Sequence, residues 1–356
     1  MSPTPRAGLL GLGMAVLAAG AAVGSVVERR VLGQPLLTAQ AQMLGYGTVH
    51  SPAQVVTAED GVELYVEVDE PDPGARYAGL TVIFSHGYAL NLDCWHHQRL
   101  ALSGSARCVY WDQRGHGRSG RGRPGPVDID RLGADLAAVV AAVAPTGPVV
   151  LVGHSMGGMT VLALADSHPD LFGPRVIGVG LLATSAGRLA EVTLGVPAAA
   201  AALVHRAAPG VMAVLGRSPR LVQLGRRTGN DLEFALTRIY SFASEVPPAT
   251  VDFVAQMNAG TPIDVVADFF GAFDDHDKFA ALDVLGDVAT LVMVGDRDLL
   301  TPPEHSAQIA ARLPGAEHAV LAECGHMLML EHPDEVSARL AGLLDRCLAA
   351  ARQNRP

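Results

Sequence analysis

The feature that most constrains this chain is a series of short apolar runs, rich in β-branched residues, that do not alternate with polar residues. Strands covered on both faces need such runs, because both rows of their side chains are buried. The runs span residues 80–84, 108–111, 148–152, 176–182, 291–294 and 319–321. Residues 62–68 do alternate, which predicts a strand with one face open to water, as at an antiparallel edge.

Between several of these runs the apolar spacing becomes helical. In residues 131–143, Leu132, Leu136 and Val139 fall on one helical face, and a last helix from about Asp334 repeats the pattern. Strands that alternate with helices predict an α/β fold with a mostly parallel, doubly covered sheet.

One long interval breaks this alternation. From about residue 188 to residue 286 no strand pattern is evident, whereas residues 196–215 and 231–243 have helical character. We therefore expect a helical cap inserted between two strands. The predicted organisation is an apolar N-terminal segment at 1–30, a core formed by 50–187 and 287–350, and a cap at 188–286.

Composition narrows the classes of function. The 356 residues include 36 Asp and Glu against 26 Lys and Arg, a net charge of −10, which argues against a nucleic-acid partner. Four cysteines lie far apart without a C-x-x-C pair, so we expect reduced, mostly buried thiols and no zinc site. They are Cys94, Cys108, Cys324 and Cys347. No metal or organic cofactor is implied.

The N-terminal segment contains an uncharged run over residues 7–27, bounded by Arg6 and Glu28. A helix of that length reaches about 30 Å, the thickness of a bilayer's hydrocarbon core. We expect a signal anchor and membrane association, with the topology open. Two alternatives remain: a signal peptide cleaved near Ala19-Gly20-Ala21 of a secreted protein, or a small-residue helix packed on a cytoplasmic protein.

The sharpest chemical signal is Gly153-His154-Ser155-Met156-Gly157, which follows a buried run and precedes a helix-forming stretch. A nucleophile on a strand-to-helix turn needs small neighbours, because the turn is strained and the backbone packs closely. The turn also presents the serine hydroxyl near a helix N-terminus, whose free N–H groups favour negative charge. We predict that Ser155 is the nucleophile.

A serine nucleophile needs a base and an acid that orients the base. The run at 291–294 leads to Asp296 and Asp298, and the run at 319–321 leads to His326. Parallel strands place their sites at this carboxyl edge of the sheet. We predict Asp298 as the acid and His326 as the base; Asp296 is the alternative acid, although it has an ordinary role as a turn residue.

Acyl transfer builds negative charge on a carbonyl oxygen, so hydrogen-bond donors must face that oxygen. The residue after the nucleophile supplies one backbone N–H, here Met156, and the loop after an earlier strand supplies the other. That loop begins His86-Gly87-Tyr88, which makes the Tyr88 N–H the second predicted donor. For His86 we expect a structural role, holding the loop by hydrogen bonds.

These motifs resemble the α/β-hydrolase superfamily, in its serine esterase, lipase and haloperoxidase-like branch. The resemblance also rests on Trp95 and Gln98, on residues 111–119, and on Glu331 and Pro333 after His326. It implies the α/β-hydrolase fold, a Ser-His-Asp triad and no catalytic role for Asp112 or Arg114, which belong to a structural turn. Family members with aspartate at the elbow form alkyl-enzyme esters; a chain with Ser155 should not.

We therefore expect an esterase-like hydrolase that cleaves carboxylic esters or related acyl compounds through an acyl-enzyme. Perhydrolase, thioesterase or acyltransferase activity on the same triad stays open, as does a non-catalytic protein that only binds a ligand. Residues 188–238 contain seven arginines but only three acidic residues. This suggests a lid that faces anionic lipid and a small, lipophilic acyl substrate, although an ordinary solvated arginine surface explains the pattern equally well.

Overall fold

The computed structural model describes residue 37, residues 39–197, residue 231 and residues 233–353. Their centre is one eight-stranded sheet with the order β1-β2-β4-β3-β5-β6-β7-β8. The strands are β1 Ala53–Thr57, β2 Glu63–Asp69, β3 Tyr77–Ser85, β4 Ala106–Trp111, β5 Val149–His154, β6 Val176–Leu182, β7 Ala289–Gly295 and β8 Glu317–Leu321. The pairs β1–β2 and β2–β4 are antiparallel and the other five are parallel, as the mostly parallel sheet predicted from sequence requires.

Helices cover both faces of the sheet. The labelled helices are α1 His96–Leu102, α2 Ile129–Val143, α3 Met156–Ser167, α4 Pro248–Gly260, α5 Ile263–Asp274, α6 Pro303–Arg312, α7 Leu328–Glu331 and α8 Pro333–Gln353. Residues 39–44 and 233–241 are also helical. Helices α1 and α8 belong to one apolar cluster, and α2 and α3 pack in a second cluster against the other face. The doubly covered α/β fold is therefore confirmed.

The N-terminal side of the sheet differs in detail from the prediction. Strand β1 was missed because four of its five residues are exposed, so it carries no apolar run. Because β1 pairs with β2, β2 is not the edge strand. Glu67, assigned to the wet face of β2, is fully buried, because Arg99 pairs with its carboxylate at 2.7 Å and Ser51 donates a backbone hydrogen bond to it.

The interval between β6 and β7 contains helices and no strand in its described parts, 188–197, 231 and 233–286. The boundaries of the predicted cap at 188 and 286 stay predictions, and most of the predicted helix at 196–215 lies outside the described residues. Helix α5 packs through Val265 and Phe269 against Met156 and Met159 of α3. The cap therefore rests directly on the helix that follows Ser155.

The predicted N-terminal run over residues 7–27 lies outside the described residues. Among the residues that are described, no helix combines the length and the apolar character needed to span a bilayer. All four cysteines are buried and free, as predicted.

Candidate active site

Ser155 occupies a sharp turn between β5 and α3. Its backbone angles are φ 53° and ψ −119°, a conformation that residues with a Cβ rarely adopt. Hydrogen bonds hold the turn: the Ser155 N–H donates to the Leu182 carbonyl at 2.9 Å, and the Thr184 hydroxyl donates to the Ser155 carbonyl at 2.7 Å. The side chain is partly exposed and lines a cavity.

The glycines of the motif are required by close backbone contacts. A Cβ on Gly157 would lie 2.1 Å from the Ser85 carbonyl oxygen, and a Cβ on Gly153 would lie 2.3 Å from the Gly157 carbonyl oxygen. Atoms cannot approach so closely, so any side chain at either position would push strand, turn and helix apart. Steric contacts therefore explain why the motif has glycine at both of these positions.

His326 and Asp298 lie together at the carboxyl ends of β8 and β7. The Asp298 carboxylate accepts a hydrogen bond from His326 Nδ1 at 2.8 Å, and both side chains are buried. Since a carboxylate only accepts, the shared proton is assigned to Nδ1, which leaves Nε2 as the basic nitrogen. Like Ser155, His326 lines the cavity.

Asp296, the alternative acid, does not contact His326. Its side chain is exposed and accepts from the backbone N–H of Cys324 at 3.1 Å, an ordinary role in fixing the loop. His305 and His318 bond instead to the hydroxyls of Ser185 and Ser306. The geometry therefore groups Asp298, rather than Asp296, with His326.

Thr301, for which no role was predicted from sequence, completes this arrangement. Its hydroxyl donates to Asp298 Oδ2 at 2.8 Å, the oxygen that also bonds His326, and its N–H donates to Oδ1 at 2.9 Å. The Leu300 N–H adds a bond to Oδ1 at 2.9 Å. The Asp-x-x-Thr spacing, in which a carboxylate captures the hydroxyl and N–H three residues on, was the available signal.

Of the two predicted oxyanion donors, Tyr88 lines the cavity and Met156 directly follows Ser155. Met156 is the first residue of α3, and Tyr88 lies in the loop after β3. Within the described part of the chain, neither backbone N–H donates a hydrogen bond, so both remain available to a ligand. The Tyr88 hydroxyl is held by the Val266 carbonyl of α5, and burial raises its pKa.

His86 has the structural role expected of it. Its Nδ1 bonds the Gly87 carbonyl at 2.7 Å, and its Nε2 accepts the Gln113 N–H at 2.9 Å. Burial lowers the pKa of His86 to about 3, so the ring is neutral near pH 7. His154 is buried beside it; its Nε2 bonds the His326 carbonyl at 2.9 Å, and burial holds its pKa well below the ordinary value.

Glu331 connects residues 322–327, the loop that carries His326 and that we call the histidine loop, to the cap. Its Oε2 accepts from the Gly325 N–H at 2.6 Å, and its Oε1 accepts from the Ala243 N–H at 2.8 Å and the Ser244 hydroxyl at 2.7 Å. From sequence, Glu331 was predicted only as part of a family pattern, without these bonds. Its partners are separated by about eighty residues, so no local pattern could have identified them.

A cavity of about 890 Å³ opens over this site. Ser155, His326 and Tyr88 line it, together with residues from 189–194, from the helix at 233–241 and from α4 and α5. Most of its lining is apolar, with aromatic side chains such as Phe270 and Phe273. The dimensions suit a small organic ligand of substantial apolar area.

The fold agrees with comparisons to known proteins. The sequence pattern of the Alpha/beta hydrolase family matches residues 82–339. A non-heme haloperoxidase of Rhodococcus erythropolis is 30% identical over 298 residues, which cover 82% of this chain and 98% of that protein. The chain belongs to the alpha/beta hydrolase family.

Two further relatives show how widely the family's members differ. A monoacylglycerol lipase of Mycolicibacterium smegmatis is 34% identical over 121 residues, 33% of this chain and 42% of that protein. A thermophilic esterase of Thermogutta terrifontis has a similar structure, with a TM-score of 0.66 and 24% identity over 83% of this chain and 99% of that one. At that identity the structural likeness supports the family's fold and nothing finer.

Proposed function

We propose that this protein is a serine hydrolase that cleaves carboxylic esters of small, lipophilic substrates. One observation carries the proposal: Ser155, on a strained turn, opens into the same apolar cavity as a histidine whose Nδ1 is hydrogen-bonded to a buried aspartate. Hydroxyl, imidazole and carboxylate in that relation form the set that serine-dependent acyl transfer requires.

In the first half of the proposed reaction, His326 Nε2 accepts the Ser155 hydroxyl proton while Oγ attacks the ester carbonyl carbon. Asp298 holds the imidazole in position and stabilises its protonated form, and the Met156 and Tyr88 N–H groups bind the oxyanion. The bond from the carbonyl carbon to the alcohol oxygen then breaks. The leaving alcohol takes the proton from His326, and the acyl group stays on Ser155.

Water completes the cycle. His326 removes a proton from a water molecule as its oxygen attacks the acyl carbon, and the bond from that carbon to Ser155 Oγ breaks. The proton returns to Oγ, and a carboxylic acid leaves. None of these steps calls on a metal or an organic cofactor.

A fluorophosphonate probe and an ester substrate test the proposal together. Wild-type protein should label at Ser155 and hydrolyse a medium-chain ester, and Ser155→Ala should lose the label and at least about 10³-fold of kcat/KM. Thr160→Ser, which alters a buried hydroxyl residue on α3 away from the cavity lining, serves as the folded control. A folded wild-type protein that does not label, or Ser155→Ala with undiminished activity, would refute the proposal.

The haloperoxidase relative favours one second activity on the same site. If hydrogen peroxide replaced water in the second half-reaction, its oxygen would attack the acyl carbon and release a peracid, and Ser155 would recover its proton as before. Peracid formation is measured by its oxidation of bromide. It should depend on Ser155 as strongly as ester hydrolysis does; peracid formed equally by Ser155→Ala would exclude this route.

We also propose that the run at residues 7–27 anchors the protein to a membrane, because it is uncharged and long enough to span one. Fractionation of cells tests this. Full-length protein should sediment with membranes and resist extraction by alkaline carbonate, whereas a variant lacking residues 7–27 should be released. Full-length protein in the soluble fraction, or a shortened mature N-terminus, would contradict an anchor.

A further inference from the structure

The helix at residues 233–241 presents one side to the cavity. Glu233, Leu236, Thr237, Tyr240 and Ser241 all line it, and they recur every three or four residues as one helical face does. Three of them carry hydroxyl groups, and we call Thr237, Tyr240 and Ser241 the hydroxyl face. The helix thus turns polar atoms toward the ligand space.

The rest of the cavity has the opposite character. Its lining from the segment after β6 and from α5 is mostly aliphatic or aromatic, and includes Leu189, Val192, Leu194, Ile263, Phe270 and Phe273. A hydroxyl enclosed among such groups loses its contacts with water and costs free energy unless it finds a partner. A ligand that fills the cavity must therefore either satisfy the hydroxyl face or leave it unpaired.

The hydroxyl face has little to bond within the protein itself. Asn258 Nδ2 approaches Thr237 Oγ1 at 3.5 Å, a long contact in which the threonine only accepts. Among the described residues, no hydrogen bond of the protein involves the Tyr240 or the Ser241 hydroxyl. Thr237 and Ser241 are nonetheless buried, with 6% and 8% of their surface exposed. Their protons are free to be donated to a ligand.

The hydroxyl face is also held at a fixed place relative to His326. The Met327 N–H donates to the Ser241 carbonyl at 2.9 Å, and the Ala243 N–H bonds Glu331 at the end of α7, which also holds the histidine loop. Arg238 secures the helix end, since its guanidinium donates to the Phe242 and Ser244 carbonyls. From Ser241 the face extends away from the histidine loop at about 1.5 Å per residue.

From these observations we infer that the preferred substrate is an amphiphilic ester: an apolar chain that also carries a hydroxyl group, which bonds to the hydroxyl face of the cap. This inference rests on the proposed esterase function and specifies its substrate class. A pocket built to bond a hydroxyl discriminates strongly against an analogue that lacks it, because the pocket's own polar groups are then left unpaired.

Matched esters of one medium-chain acid test the inference with the purified full-length protein. The first is a propyl ester and the second a 2,3-dihydroxypropyl ester; a third, the propyl ester of the 3-hydroxylated acid, puts the hydroxyl on the acyl side. We expect kcat/KM for one hydroxylated ester to exceed that for the plain ester by at least about tenfold. Which of the two gains shows whether the alcohol or the acyl part meets the cap.

The variants Thr237→Val, Tyr240→Phe and Ser241→Ala remove the hydroxyls with little change of shape. Each should lower the ratio of the preferred to the plain ester, and the triple variant should bring it close to one. Thr48→Val removes an exposed hydroxyl that does not line the cavity and should keep the wild-type ratio. Equal rates for all three esters in wild type, or a ratio unchanged in the triple variant, would overturn the inference.

These outcomes separate the inference from the proposed function. Fluorophosphonate labelling of Ser155 together with hydrolysis of the plain ester at the same rate would leave the esterase standing and remove only the hydroxyl preference. Absence of both labelling and hydrolysis in a folded protein would remove the esterase proposal, and the substrate class would fall with it.

Discussion

The carboxyl edge of the sheet and the cap that covers it differ in the interactions that stabilise each of them. At the sheet edge, backbone atoms meet without room for a Cβ, and the Asp298 carboxylate is fixed by three donors besides His326. Helix α5 of the cap is held in place partly by ion pairs between part-exposed side chains, in which Arg121 pairs with Asp264 and Asp268. Geometry at the edge tolerates almost no change, whereas the cap can vary while the chemistry below it is preserved.

The largest effect should come from adding one methyl group at the sheet edge. Gly157→Ala places a Cβ 2.1 Å from the Ser85 carbonyl oxygen, so we expect at least about 3 kcal/mol less stability, or failure to fold, and loss of the fluorophosphonate label. Gly271→Ala is the matched change in the cap. Nothing lies within 4 Å of its Cβ, and alanine in a helix should stabilise by about 0.5–1 kcal/mol.

Urea unfolding measures both variants. Similar losses of stability at the two glycines would mean that the edge and the cap are packed alike, and the comparison between them would fail.

This contrast also explains what could be predicted from the sequence. The elbow motif was recognised because steric contacts force glycine at Gly153 and Gly157, and such constraints leave a local pattern. Asp298 and His326 were predicted as a pair because strand ends of a parallel sheet meet at one edge, and the structure places them within hydrogen-bond distance. A constraint of this kind leaves a pattern in residues that are close in sequence or at corresponding strand ends.

Contacts between distant segments were not predictable in that way. The local sequence does not distinguish Glu67 from an exposed strand residue. Only its ion pair with the distant Arg99 makes its burial possible. Helices α4 and α5 were not singled out, since their faces are shared between packing and the cavity. Of the arginines behind the proposed lipid-facing lid, Arg238 is buried and caps a helix end, so it is not available to an anionic surface.

Acidification should destabilise the whole protein. Burial lowers the pKa of His86 to about 3, that of His116 to about 4 and that of His154 well below its ordinary value, and it lowers the pKa of His276, within the cap, to about 4. Below pH 6.5 the unfolded chain binds protons that these native rings exclude. The contribution of these neutral rings to the free energy of unfolding should be fully present above pH 6.5. It should fall by about 2 kcal/mol for each ring by pH 5.

Asp112 opposes part of this trend. Burial raises its pKa to about 6, so the native state takes up one proton between pH 6 and pH 4 that the unfolded chain does not. Urea unfolding at pH 7 and pH 5 measures the balance. His116→Asn, whose amide can still donate to the Arg114 carbonyl, should reduce the difference by about 2 kcal/mol. An unchanged difference would show that His116 does not resist protonation.

An intermediate effect should follow where the two regions are joined. In Glu331→Gln, an amide group replaces a carboxylate oxygen, and the Gly325 or the Ala243 N–H loses its acceptor. We expect a loss of about 1–3 kcal/mol in stability and about tenfold in kcat, because the histidine loop is no longer fixed. The control, Glu335→Gln, breaks a surface pair with Arg339 and should cost less than about 0.5 kcal/mol.

Steady-state kinetics and urea unfolding distinguish a positioning role for Glu331 from a purely structural one. Loss of stability with unchanged kcat below the unfolding transition would limit Glu331 to holding the fold together.

The smallest effect should come from loosening the cap alone. Arg121→Gln removes the ion pairs to Asp264 and Asp268, and such part-exposed pairs contribute about 0.2–1 kcal/mol each. Because α5 lines the cavity but does not carry Ser155, Asp298 or His326, we expect KM to rise about two- to threefold with kcat nearly constant.

Added salt should raise KM of the wild type in the same way and leave the variant unchanged. Arg107→Gln, which breaks a pair with Glu70 and a hydrogen bond to the Val143 carbonyl near the start of β4, outside the cavity lining, provides the control. A fall in kcat instead of a rise in KM would mean that the cap helps to set the geometry at the sheet edge, and the two regions could no longer be treated as separately tunable.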